Sequence, residues 1–147
     1  MANICSNIVE ILEYHDKFLA VDFKSWAKVA EEGYPPIIGF DDQDRYPFGI
    51  YFDEENTIQF ETKWDSAIST FVKIARAYKF DFKLEYEELG MSLYGAVIYD
   101  YKSDELQYKF LTRDEICKIE EEDNDNMYDM MDNLLYYKDY EPYTKSI

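Results

Sequence analysis

Thirty-two carboxylates, one imidazole and two thiols are the groups in this 147-residue chain best able to act on a substrate or hold a metal. The imidazole, His15, stands in a charged stretch between Tyr14 and Asp16, with no motif nearby to supply a nucleophile and an orienting group. It reads as a surface histidine without a role. Cys5 and Cys117 lie far apart and form no C-x-x-C pair, so with one histidine they fall short of a zinc set, and a disulfide framework is not expected. Asp123, Asn124, Asp125 and Asp129 offer oxygens to calcium, but no glycine is there to make the sharp turn of an EF-hand loop. Glu87 and Glu88 are a pair of the kind that divides acid and base work when one pKa is raised. In so acidic a chain adjacent pairs arise from composition alone. No catalytic residue, metal or cofactor is assigned.

Charge says more than any single motif. Fifteen basic residues leave a formal net charge of -17. Such a field repels nucleic acid and anionic membrane and attracts basic protein surfaces, so the expected partner is a basic protein and not a nucleic acid. The charge is uneven: residues 1–113 carry a net -9, while the 34 residues from 114 onward carry -8. Two clusters stand out as candidate partner contacts. One is Asp41, Asp42 and Asp44 in a proline-containing stretch; the other is Glu120, Glu121, Glu122, Asp123, Asp125, Asp129 and Asp132. Carboxylates one or two helical turns apart, about 5 to 11 Å, can imitate a row of phosphates. Tyr128, Tyr136, Tyr137, Tyr140 and Tyr143 run among and after these acids, and tyrosine is favoured at interfaces.

The elements that must position these groups are legible in the periodicity. With 47% apolar and 18% aromatic residues the chain can fill a core, and its length suits one domain. No run of about 18 apolar residues is present to span a bilayer, and Met1 to Leu12 lacks the form of a signal peptide, so a reducing cytoplasmic setting is expected. Ile4 to Leu12 reads as a buried strand, and Asp22 as the cap of a helix that carries Phe23, Trp26, Ala27 and Ala30. Gly49 to Phe52 and Thr57 to Thr62 form a hairpin. Ile68, Phe71, Val72, Ala75 and Tyr78 make a helical stripe, and Phe80, Phe82, Leu84 and Tyr86 alternate as a strand. The order βαββαβ predicts an α+β ferredoxin-like sandwich over residues 1–111, with Tyr94 to Tyr101 and Glu105 to Leu111 as an added hairpin. Thr112 and Glu115 form a capping box that opens an acidic helical extension over 112–147, expected to pack on the same core. Its stripe of Met127, Met130, Met131, Leu134 and Leu135 could also support a homodimer. Phe82 and Tyr86 share a face, as aromatics do on RNA-binding sheets, but their acidic neighbours argue against that use.

Three short motifs carry a family resemblance. Asn3, Cys5 and Asn7 in the opening segment, Phe60-Glu61-Thr62-Lys63-Trp64, and Tyr86-Glu87-Glu88-Leu89-Gly90-Met91 followed by Gly95 resemble the YubB-type ferredoxin-like domain of plasmid- and phage-borne proteins. The resemblance runs from Met1 to about Tyr99 and leaves the acidic tail outside. It implies a divergent member, since Ile4 stands where the family has tryptophan, Asp65, Ser66 and Ala67 where a proline pair follows, and Leu89 and Ser92 where it has proline and glycine. It also implies a mobile-element protein inside a bacterial host, with Glu61, Trp64, Tyr86, Glu87, Glu88 and Gly90 as a motif surface. Together the charge and this context lead to the expectation of a non-enzymatic, anti-CRISPR-type inhibitor that occupies a basic groove of a host defence nuclease. The alternative is a protein- or small-ligand-binding module that works through Trp64, Tyr86 and Gly90, with acidity serving solubility alone.

Overall fold

Alternation along the first strand sets the plan of the molecule. In β1 (Ile4–Tyr14) the side chains of Cys5, Asn7, Val9 and Ile11 are buried, while Ile4, Ile8 and Leu12 on the opposite face stay exposed. A strand with one sealed and one open face belongs in the middle of a half-covered sheet. The computed structural model, which describes residues 4–30, 48–53, 56–63, 68–122 and 125–143, places it there. The order of elements is β1, α1 (Lys17–Ala30), β2 (Phe48–Asp53), β3 (Thr57–Lys63), α2 (Ile68–Tyr78), β4 (Phe80–Glu88), β5 (Leu93–Asp100), β6 (Glu105–Phe110), α3 (Arg113–Glu122), α4 (Met127–Tyr136) and β7 (Glu141–Pro142). The strands form one antiparallel sheet in the order β2-β3-β1-β4-β5-β6-β7. Its first four strands with α1 and α2 are the α+β ferredoxin-like sandwich, and β5 with β6 is the added hairpin.

One face of the sheet is closed by α1 and α2. Phe23 from α1 and Phe71, Val72, Ile74 and Ala75 from α2 bury against Val9, Ile58, Phe60, Phe82, Leu84 and Val97 of the strands. The aromatic rings meet in the tilted and offset arrangements that their quadrupoles favour. Phe23 and Phe80 lie 4.8 Å apart, Phe60 stacks on Phe71 at 5.2 Å, and Phe82 lies 5.6 Å from both Phe71 and Tyr99. Phe82 is therefore core, and no aromatic reading surface pairs it with Tyr86. Two of the sequence signatures also resolve into structure here. Buried Asn7 donates to the Cys5 carbonyl at 3.1 Å and to Thr62 Oγ1 at 3.0 Å, which satisfies its amide inside the core.

The first helix begins earlier than its apolar spacing suggests. Asp16 caps it, accepting from the backbone N–H groups of Phe18 at 2.9 Å and Leu19 at 3.0 Å, whereas Asp22 lies within the helix. The extra turn carries Phe18 and Val21, both largely exposed, beside Leu19, which packs on the core in line with Phe23 and Trp26, so its apolar residues do not all mark one face. The capping box of α3 is as expected: Thr112 N donates to Glu115 Oε1 at 2.9 Å and Glu115 N to Thr112 Oγ1 at 3.2 Å.

The acidic extension sends only Tyr143, among the described residues, against the core shared by α1 and α2. It covers the far end of the opposite sheet face, where Ile116, Ile119, Met131 and Leu135 of α3 and α4 bury with Tyr94, Ala96 and Leu111 in a cluster of their own. The reason lies in β5: Tyr94 and Ala96 alternate with Val97 and Tyr99, which point into the first core, so this strand is apolar on both faces. The chain then returns to the sheet edge, where β7 pairs with β6 and Tyr143 packs 5.3 Å from Tyr108.

Candidate functional site

Because α3 and α4 cover only the β5–β6 end, a groove remains where α4 overhangs the open face of β1 and β4. Register builds its floor. Glu61, Ser6, Glu87 and Tyr94 form one cross-strand row, and Gln59, Ile8, Glu85 and Ala96 form the next. Tyr128, Asp132 and Leu135, spaced along one side of α4, make the wall. The groove has a volume of about 330 Å³ and is completed by Tyr86 and Gly95. The Tyr94 hydroxyl donates to Asp132 and ties the helix to the sheet. Burial first, and then that bond, push the Tyr94 phenol far above its ordinary pKa.

Electrostatically the groove is divided. At one end Lys83 pairs with Glu85 at 3.0 Å, and a second recess of about 270 Å³ there is lined by Lys83 and Lys109 together with Glu85 and Asp132. Burial lowers the Lys109 ammonium and the nearby Lys83 lowers it further. Asp132 stands between the two ends: it lines the lysine recess and also faces Glu87 across the groove, and no cation among the described residues lies within ion-pair distance of either carboxylate. Burial, with the Asp132 charge adding to it, raises the Glu87 carboxyl above the ordinary glutamate range. Two carboxylates held together without a counter-ion among the described residues, beside Ile8, Tyr94 and Tyr128, make an anionic slot with apolar sides.

The motif residues divide between this slot and the scaffold. Glu61 and Glu87 lie on the open face, with Ser6 between them. Tyr86 points to the other face, where its ring lies over Gly95: a Cβ built on Gly95 would come within 2.5 Å of the Tyr86 hydroxyl and 2.8 Å of the Lys109 carbonyl. Glycine is required there for close approach. Glu88 accepts from Gly90 N–H at 2.6 Å and so caps the 3₁₀ turn Leu89–Met91, whose left-handed residue is Ser92 with φ 56°. Trp64 lies outside the described residues, as do Asp41, Asp42, Asp44 and Asp123.

Of the tail acids, Glu120, Glu121 and Glu122 are exposed at the end of α3, and Asp125, Asp129 and Asp132 are exposed before and along α4. The tyrosines split: Tyr128, Tyr136 and Tyr137 are exposed, whereas Tyr140 and Tyr143 pack against the two clusters. The acidic surface is thus carried on helices anchored from below, with Tyr128 set beside Asp132 at the groove.

His15 is not a surface residue. Its side chain is 10% exposed, its Nε2 lies 3.0 Å from Asp81 Oδ1, and its ring packs 5.5 Å from that of Tyr101. Asp81 also accepts from Tyr101 N–H at 2.7 Å. An irregularity in β1 between Ile11 and Glu13 sets Glu13 opposite Asp81, so Glu13, His15 and Asp81 bring one potential ligand atom each to within 4.8 Å of one another. These are the described residues best placed to hold a metal ion, and the His15–Asp81 bond already accounts for two of them as a structural pair. Local sequence could not reveal this, because the partner lies 66 residues away.

The fold and the groove can now be set beside known proteins. The family model described as the ferredoxin-like domain in Api92-like protein matches residues 40–131, more than half of the chain. The chain belongs to that family. The family domain starts after α1 and runs through β2 to β6, all of α3 and half of α4, so the matched span includes Glu120 to Glu122 and Asp125 as well as the groove residues Glu87, Tyr94 and Tyr128. The acidic segment from Asp114 to Met131 thus lies within the family match and not beyond it. No curated protein and no solved structure matches the chain. No helix among the described residues is long and apolar enough to cross a membrane.

Proposed function

We propose that this protein is a non-enzymatic inhibitor that binds a basic nucleic-acid groove of a partner protein in place of the nucleic acid. The observation that carries the reading is the exposed carboxylate surface of α3 and α4, from Glu120 to Asp132, fixed on a buried base of Ile116, Ile119, Met131 and Leu135. An anchored row of charge loses less freedom on binding than a solvated tail, so more of its attraction is kept as affinity. The finer assignment is a YubB-type protein of a plasmid or phage that acts in the bacterial cytoplasm as an anti-CRISPR-type inhibitor of a defence nuclease. The sequence motifs and the net charge of -17 support it.

A second reading has an observation of its own. Glu87 of the motif presents its side chain to the groove beside Ser6 and Tyr94, which suits a module that recognises a protein or small ligand there. The two readings share Asp132, which belongs both to the acidic surface and to the groove wall.

Immobilised protein incubated with nuclease-treated bacterial lysate tests the first reading, with the bound fraction challenged by duplex DNA, by structured RNA and by salt. Capture of a basic nuclease that nucleic acid displaces, with binding that falls steeply between low and high ionic strength, is expected. A bound protein that neither nucleic acid nor salt displaces overturns the reading and leaves the groove as the site.

A further inference from the structure

Most of the acidic surface offers a partner only diffuse attraction, but the slot between β4 and α4 has a shape. Glu87 rises from the sheet and Asp132 comes down from the helix, and Tyr94, the cross-strand neighbour of Glu87 on β5, ties the helix to the sheet through its bond to Asp132. Ile8, 45% exposed, and Tyr128, 50% exposed, are the apolar sides. At the opposite end Lys83 and Lys109 offset Glu85 and Asp132, so the unbalanced negative charge is on the Glu87 side. A ligand suited to this slot therefore carries one positive charge at its tip, a planar tip able to meet two carboxylates at once, and an apolar stem.

We infer that the slot lined by Ile8, Glu87, Tyr94, Tyr128 and Asp132 receives an arginine side chain from the protein partner. The guanidinium donates to the Glu87 and Asp132 carboxylates as a fork, the Tyr128 ring offers it a π face, and the methylene stem lies along Ile8. Lysine fits less well, because an ammonium is a strongly hydrated point charge that cannot bridge two carboxylates in a plane. Charge complementarity commits the slot to this occupant: Glu87 and Asp132 share one space with no counter-ion among the described residues, so an incoming cation relieves their repulsion while hydrogen-bonding both. The rest of the surface, Glu120 to Glu122 included, then serves approach and not recognition. This deepens the proposed function and rests on a basic partner; it does not require that the partner bind nucleic acid.

The probes are two blocked hexapeptides, six arginines and six lysines, titrated into the full-length isotopically labelled protein at constant ionic strength and followed by amide chemical shifts. The arginine peptide is expected to bind at least about fivefold tighter than the lysine peptide, with the largest shifts at Ile8, Glu87, Tyr94 and Tyr128. The double variant E87Q/D132N is expected to lose about tenfold in affinity for the arginine peptide and most of its preference over lysine. The triple variant E120Q/E121Q/E122Q is expected to lose about twofold for both peptides alike. The D132N change keeps an acceptor for the Tyr94 hydroxyl, and an unchanged thermal transition verifies that the double variant is folded. Equal affinity for the two peptides, or equal losses in the double and triple variants, overturns the inference. Failure of the proposed function looks different: the arginine preference persists while nucleic acid does not displace the captured partner.

Discussion

The two faces of the sheet use the same strands to opposite ends. On the face under α1 and α2, aromatic rings from strands and helices interlock, and the polar Asn7 and Thr62 satisfy each other inside. On the other face, α3 and α4 cover the added hairpin and stop short, leaving Ile4, Ile8 and Leu12 of β1 exposed, with Ile8 in the groove beside Glu87 and Asp132. A sealed face is fixed by the need to fold. A half-covered face that keeps apolar and acidic groups together is fixed by something else, and an exposed apolar patch rimmed by charge is the mark of an interaction surface.

Substitutions can break or sharpen this contrast. The largest effect is expected from Phe82→Ala, which removes a fully buried ring in contact with Phe71, Phe80 and Tyr99; denaturant unfolding should show a loss of about 3–5 kcal/mol. The sharpest test of the two faces uses neighbours in one strand. Ile11→Ala, on the sealed face, should cost about 2–5 kcal/mol, whereas Leu12→Ala, 48% exposed on the other, should stay within about 0.5 kcal/mol. Equal losses would mean that the open face is covered in solution. Gly95→Ala should cost about 1–3 kcal/mol, because its Cβ meets the Tyr86 ring and the Lys109 backbone, which cannot both give way.

The smallest effect is in the pH dependence, where two carboxylates act with opposite sign. Hydrogen bonds from Arg76 and then Tyr99 lower the Asp104 pKa, so its stabilisation is present above the ordinary value of 3.8 and is lost as pH falls below it. Glu87 is raised, so its contribution is present in acid, below the ordinary value of 4.5, and is lost as pH rises through its folded pKa. Thermal melts of Glu87→Gln across that interval should therefore be flatter than those of the unaltered protein, with the variant the more stable at neutral pH. A variant that is less stable at neutral pH would show that Glu87 has a cationic partner in solution.

Local pattern was enough for much of the fold. The alternation of Phe80 to Tyr86, the stripe of α2 and the reciprocal box of Thr112 and Glu115 each signal within a dozen residues, and each sits where its period requires. The sequence pattern misplaced the start of α1, because the turn that Asp16 caps points Phe18 and Val21 to solvent and only Leu19 toward the core. It also misread His15, whose burial depends on an irregular β1 and on the distant Asp81. The groove was legible only as fragments. Glu87 and Asp132 were both candidates, one as motif and one as tail, but their meeting depends on the bond between Tyr94 and Asp132, 38 residues apart, and on a helix that lies over a strand. Spacing along the chain carries no signal for that.

The acidic segment is fastened at both ends. It leaves the sheet after β6, where Leu111 N–H bonds to the Tyr94 carbonyl, and it comes back to the same strand at β7, where Tyr143 N–H bonds to the Leu106 carbonyl. Lys138 reaches back to Glu115 at 2.6 Å and draws the two ends together. The segment is a handle and not an arm: a load applied to its carboxylates pulls on β6 from two points at once, and a single cut between α3 and α4 leaves both pieces held to the body of the protein.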